Sequence, residues 1–161
     1  MNKVKSIGNV KWEKQDIINS LDEFLELYDS RPIKDNSGGM KSPHLFAVWF
    51  MAKQINPELI VESGVWKGQS TWLLEQACPN AKLVSIDINL KNREYFSKKA
   101  EYSDRDFSEQ DWKNLPENSL VFFDDHQNAY KRLQQCKWFG FRHVIFEDNY
   151  PPAKGDCYSL K

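Results

Sequence analysis

Val61-Glu62-Ser63-Gly64-Val65-Trp66-Lys67-Gly68-Gln69-Ser70 is the stretch that decides how the rest of this chain is read. It continues the apolar run Leu59-Ile60-Val61 and leads into a helix across Ser70 to Ala77, so its glycines fall where a strand hands over to a helix. Gly64, just past the strand, lets the backbone turn tightly and approach a ligand with no Cβ in the way. Gly68, at the helix start, leaves the first amide N–H groups free to meet an anion. The spacing is G-x-x-x-G, not the G-x-G-x-x-G of nicotinamide-binding folds, and no G-K-[ST] follows, which excludes a triphosphate cradle. Two glycines alone describe an ordinary strand-to-helix turn.

The sequence on either side repeats the same alternation. Leu83-Val84-Ser85-Ile86 reads as a second strand ending at Asp87, followed by a basic, polar helix around Asn92 to Lys99. Tyr102 to Phe107 is a third strand, and Leu120-Val121-Phe122-Phe123 a strong fourth ending in Asp124-Asp125. A helix through Ala129, Tyr130, Leu133, Cys136 and Lys137, closed by Gly140, leads to a fifth strand, His143-Val144-Ile145-Phe146, ending in Glu147-Asp148. Strands apolar throughout and spaced by helices predict an α/β fold, a doubly wound and mostly parallel sheet of about five strands with helices on both faces. Before this core lies a helical segment, residues 1–56. Ile17, Leu21, Phe24, Leu25 and Tyr28 make one apolar stripe, and Ser42-Pro43 opens a second, buried helix, with Ser42 as N-cap and Pro43 at the first helical position, that Asn56-Pro57 ends. Residues 57–150 form the α/β core and 151–161 a tail, all within one domain.

Composition narrows the function. The 161 residues carry 22 Lys and Arg against 23 Asp and Glu, a net charge of −1, which lacks the electrostatic footprint of a protein built to grip nucleic acid or an anionic membrane. No apolar run approaches a membrane span, and the first residues, MNKVKSIGNVKWEKQ, lack the apolar stretch of a signal peptide. Three widely spaced cysteines, Cys78, Cys136 and Cys157, fit a reduced, cytoplasmic chain better than a disulfide framework. The expected partner is a small molecule.

The strand-end acids carry the chemistry. Glu62, Asp87, Asp124/Asp125 and Glu147/Asp148 fall on one edge of a parallel sheet, the edge at which such folds bind ligands. Asp87, 25 residues after Glu62, is placed to accept both hydroxyls of a ribose. Asp111-Trp112, after the third strand, pairs a carboxylate able to accept from an adenine amino group with a ring able to lie on the base. Helix capping and core packing explain any one of these alone.

Over roughly residues 40 to 150 the chain resembles the class I S-adenosylmethionine-dependent methyltransferases. E-x-G-x-x-x-G-x-S, an acid ending the second strand, and an Asp before an aromatic follow their order of cofactor contacts. The resemblance implies S-adenosylmethionine as cofactor, with Glu62, Gly64, Gly68 and Ser70 around the methionine portion, Asp87 on the ribose, and Asp111 with Trp112 near the adenine. Asp124-Asp125-His126 and Glu147-Asp148-Asn149 supply hard oxygen ligands of the kind Mg²⁺ prefers. They look like the metal site of catechol-type and sugar O-methyltransferases. Asp125, Asp148 and Asn149 match that site best, with the register open by one residue at Asp124 and Glu147. Asp125 and His126 are the catalytic candidates, His126 as general base toward a substrate hydroxyl. A histidine hydrogen-bonded at a strand end is the alternative.

A full methyltransferase sheet adds a hairpin of two strands after the fifth. Only thirteen residues follow Asp148, too few for that hairpin, so the chain is expected to be a short form or a truncated piece. The uncovered sheet edge is a candidate for pairing with a second copy. Beside metal-assisted O-methylation of a small hydroxylated or sugar-like substrate stand two alternatives. One is a cofactor-binding domain without turnover. The other is a metal-dependent hydroxylase on the same fold, resembling the cephalosporin-type proteins; it would want Fe(II) with two histidines, and only His126 is near.

Overall fold

A computed structural model describes residues 11–147. Two short helices, α1 (Lys14–Asn19) and α2 (Leu21–Asp29), precede the longer α3 (Ser42–Ile55). Strand β1 (Leu59–Ser63) and helix α4 (Gln69–Ala77) come next, then β2 (Lys82–Ile86), β3 (Ala100–Ser103), β4 (Ser119–Phe123), α5 (Ala129–Phe139) and β5 (His143–Phe146). The strands form one sheet in the order β3-β2-β1-β4-β5, and every pair is parallel. This is the Rossmann-like doubly wound arrangement the alternation predicts. Among the described residues β3 and β5 are the edges.

Strand alternation divides the core in two. Ile60, Leu83, Leu120 and Phe122 face Trp49, Val48 and Ala52 of α3 and Leu73, Leu74 and Ala77 of α4. Leu59, Val61, Val121 and Phe123 face the other way, onto Phe107, Phe141 and Cys136 of α5. Strands β1 and β4 are buried along their whole length, which explains the apolar runs Leu59-Ile60-Val61 and Leu120-Val121-Phe122-Phe123 within them. No helix among the described residues is long and apolar enough to cross a membrane.

Four local expectations change. The first stripe is two helices, not one: Ser20 ends α1 and starts α2, with its hydroxyl donating to Asp16 O at 2.8 Å. Of that stripe only Phe24 is buried, while Leu21 and Leu25 stay exposed. Ser42 is the first residue of α3 and not its cap, which is Lys41. The basic helix at Asn92 to Lys99 does not form. A 3-10 turn at Leu90–Asn92 is followed by irregular chain, because the Glu94 and Tyr95 amides donate to Lys67 O at 2.9 and 3.0 Å and leave the helical register. The third strand accordingly runs Ala100–Ser103, earlier than Tyr102 to Phe107.

The ends of β1 and β4 are drawn together at Gly64. Asp124 N donates to Ser63 O at 2.8 Å, and Gly64 N donates across to Ile86 O at 2.8 Å. Gly64 has φ 99°, and a Cβ there would stand 2.0 Å from Asp124 O. Position 64 therefore requires glycine twice over, for conformation and for space. Gly64→Ala is expected to lower unfolding free energy by at least about 2 kcal/mol in a denaturant titration; a loss under about 0.5 kcal/mol would show the two strand ends free to separate.

Candidate functional site

The sheet order reverses between β1 and β4, and a cavity of about 360 Å³ opens there, outside the carboxyl ends of the strands. Each strand supplies part of its wall. Ser63 and Gly64 come from β1, Asp87 and Ile88 from the end of β2, Asp106 from the chain after β3, and Asp124, Asp125 and His126 from the end of β4. Gly38, Gly39 and Trp66 add a wall from the loops, and Arg132 reaches in from α5.

Asp87 organises the glycine turn. Its Oδ2 accepts from the Val65 and Trp66 amides at 2.9 and 3.0 Å, and its Oδ1 from Asn89 N at 2.8 Å. The turn so held places Trp66 at φ 49°, a conformation non-glycine residues rarely adopt and one that recurs at functional sites. The Trp66 indole then donates to Ser37 O at 3.1 Å, and Lys67 Nζ donates to Asp35 O at 2.8 Å. Both anchor the loop before α3, which brings Gly38 and Gly39 to the cavity. Trp66 is thus a wall of the cavity. Gly68, the N-cap of α4, has φ 92° and abuts Tyr95, where a Cβ would come 2.9 Å from its carbonyl oxygen.

Glu62 and Ser70 are not in the cavity wall. Strand alternation turns Glu62 beneath α4, where it is completely buried and accepts from Ser70 Oγ, from Thr71 Oγ1 at 2.6 Å and from Ser85 Oγ at 2.7 Å. Burial raises its pKa to about 7, against the lowering influence of those three hydroxyls. The pair ties β1, α4 and β2 together behind the cavity.

Asp111 and Trp112 are not brought to the cavity either. Asp111 is exposed beside Lys113, and the Trp112 indole donates to Phe107 O at 3.0 Å while its ring packs on Phe107 and Phe141. Their aromatic neighbours draw that segment onto the α5 side of the sheet. The carboxylate that does line the cavity after β3 is Asp106. The paired guanidinium of Arg132 holds its pKa far below the ordinary range, with further help from Ser108.

Asp125 is engaged through Oδ2, which accepts from Ser63 Oγ at 2.7 Å and Arg132 Nε at 2.9 Å. Its Oδ1 meets the Gln127 amide at 3.3 Å. His126 lies on the wall at φ 54°. Glu147, at the end of β5, contacts His44 Nδ1 of α3. Asp148 and Asn149 lie outside the described residues, as does Cys157. Among the described residues no three His, Cys, Asp or Glu side chains converge as a metal centre.

Ile88, Asp106, Gln127 and Arg132 are wall residues that sequence reading passed over. Arg132 left one signal: it sits between Ala129 and Cys136 on the buried face of α5, a charge in an otherwise core position.

No protein-family model matches the chain, and no curated protein matches it. Solved structures do. A CmcI structure with SAH superposes with a TM-score of 0.63 at 16% identity, covering 89% of this chain and 79% of its own. A CmcI structure with Mg and SAM gives 0.51 at 20% identity, covering 77% and 65%. The O-methyltransferase TomG from Streptomyces achromogenes, in complex with SAM, gives 0.56 at 14% identity, covering 84% and 65%. The chain thus spans about two thirds to four fifths of the structures it matches. Its fold is that of the class I S-adenosylmethionine-dependent methyltransferases.

The buried Glu62 makes stability depend on pH. Its folded pKa, about 7, lies above the ordinary 4.5, so between those values the folded chain holds a proton the unfolded chain has lost. That contribution is complete below about pH 4.5 and is lost as pH rises through about 7. Glu62→Gln is expected to flatten the fall in melting temperature between pH 5 and 7.5; an unchanged slope would place the titration elsewhere.

Proposed function

We propose that this chain binds S-adenosylmethionine (SAM) in the cavity at the β1–β4 reversal and is an enzyme that methylates a hydroxyl of a small hydroxylated or sugar-like acceptor. The observation that carries the reading is the meeting of Asp87 and Ile88 with Gly64 and with Asp124, Asp125 and His126 in one cavity. Asp87 Oδ1 accepts one amide and retains a lone pair for a ribose hydroxyl. Ile88, 81% exposed beside it, offers an apolar surface for a base. The volume is within the range of small-molecule sites. SAM or SAH accompanies each of the structures compared above.

When bound, SAM supplies a methyl on a sulfonium sulfur, which departs as a neutral thioether as an acceptor oxygen forms its bond to carbon. The chain's own contribution is placement and proton handling. Gly38, Gly39 and Trp66 close one side of the cavity against water, and His126 takes the proton of the acceptor hydroxyl.

A divalent cation, Mg²⁺, belongs to the same proposal. Hard carboxylate oxygens on the wall suit it, and Asp125 keeps Oδ1 for it, met only by a long amide contact. Asp148 and Asn149 are the further ligands by sequence. The cation would lower the pKa of the acceptor hydroxyl by stabilising its oxyanion.

Calorimetric titration of the chain with SAM and with S-adenosylhomocysteine (SAH), each with and without MgCl₂, tests the cofactor. Micromolar binding is expected, weakened at least tenfold in Asp87→Ala with thermal unfolding still cooperative. Absence of binding in all conditions would overturn the cofactor reading. Asp148→Ala is expected to spare SAM affinity and to abolish SAH release with a panel of catechol and sugar acceptors under MgCl₂; undiminished release would remove the cation from the reaction.

A further inference from the structure

Arg132 is 4% exposed, yet it lies on the cavity wall. Its Nε donates to Asp125 Oδ2 at 2.9 Å. Nη1 donates to Asp106 Oδ1 at 3.0 Å and to Gln135 Oε1 at 3.1 Å. Nη2 donates to Asp106 Oδ2 at 2.5 Å and stands 2.8 Å from Asp125 Oδ2. Every nitrogen of the guanidinium is thus engaged by a protein acceptor, and the planar fork grips Asp106 with both arms. A residue so saturated is not built to capture an anionic ligand.

What it changes is charge. Four carboxylates line the cavity, Asp87, Asp106, Asp124 and Asp125, and Arg132 is the one Lys or Arg among the described lining residues. The wall therefore carries a formal −3 with Arg132 and −4 without it. At a partly buried cavity wall each such charge acts more strongly than it does in bulk water. A sulfonium ligand is cationic, but its positive charge is leaving the sulfur as the methyl transfers. A wall that binds the charged donor harder than the transition state raises the barrier instead of lowering it.

We infer that Arg132 sets the electrostatic preference of the cavity, offsetting the carboxylates of Asp106 and Asp125 so that the site does not over-stabilise a cationic sulfonium relative to its neutral thioether product. The inference rests on the SAM reading and assigns a residue that neither sequence motif nor fold singled out. Arg132 acts through the field and through the two carboxylates it holds.

The affinity ratio of SAM to SAH reads this directly, because the two ligands differ in a methyl and a charge. Calorimetry on the wild-type chain fixes the ratio. Arg132→Met is expected to shift it toward SAM by about tenfold, the scale of a unit charge across a cavity at an effective dielectric of about 20. The double variant Arg132→Met/Asp106→Asn, which restores the wall's net charge, is expected to return the ratio to within about twofold of wild type. It also relieves the unpaired Asp106 carboxylate; where Arg132→Met does not fold, Asp106→Asn alone, which takes one negative charge off the wall and leaves Arg132 in place, is expected to shift the ratio toward SAH by about tenfold, and an unchanged ratio there would overturn the inference. A purely structural role predicts that both ligands weaken alike; a ratio unchanged in Arg132→Met, or a double variant far from the wild-type ratio, would overturn the inference. If the wild-type chain binds neither ligand, the cofactor reading fails, and this inference falls with it. Wild-type binding with a ratio indifferent to charge defeats this inference alone.

Discussion

A carboxyl group with no access to water, Glu62, is the fixed point of this structure. It lies in the central strand and takes hydroxyl hydrogen bonds from Ser70 and Thr71 of α4 and from Ser85 of β2. A buried acid is tolerated only when its hydrogen-bonding capacity is met, and here it is met from two neighbouring elements at once. That fixes the first turn of α4 against the sheet, and hence the glycine turn leading into it. The cavity wall inherits its shape from this arrangement: Asp87 can hold the Val65 and Trp66 amides because the turn is already in place.

The strands were the most legible part of the sequence because the two central ones are buried on both faces. Apart from Glu62 and the end serines Ser63 and Ser119, only apolar side chains sit there, so Leu59-Ile60-Val61 and Leu120-Val121-Phe122-Phe123 announce themselves. The crossover from β2 to β3 misled. Its basic residues have good helix propensity, but the Lys67 carbonyl competes for the Glu94 and Tyr95 amides, a long-range contact no local pattern shows. The N-terminal stripe was similarly ambiguous, since only Phe24 of its five apolar positions is buried, while Ile17 and Tyr28 pack against the core half-exposed.

The site was half legible, for reasons of the same kind. Gly64, Asp87, Asp125 and His126 all converge on one cavity, because each sits at a strand end and the parallel topology gathers those ends. Glu62 and Ser70 match the same motif yet turn away, a matter of which face an alternating strand presents. Asp111-Trp112 stands away from that cavity. The ring found Phe107 and Phe141, and the carboxylate at the cavity is instead Asp106, five residues earlier. Arg132 could have been found only by asking why a guanidinium occupies a core position of α5.

The loop before α3 is gripped twice, by the Trp66 indole at Ser37 and by the Lys67 ammonium at Asp35, and in both cases the acceptor is a backbone carbonyl. A carbonyl is the one group every residue carries, so these grips are blind to side-chain identity. Asp35 and Ser37 can therefore exchange their side chains and keep both anchors, whereas Gly38, at φ 81°, is held to glycine by its backbone conformation. A change in what the cavity admits has a place to work that leaves the strand ends untouched: a stretch of chain moored by its own backbone.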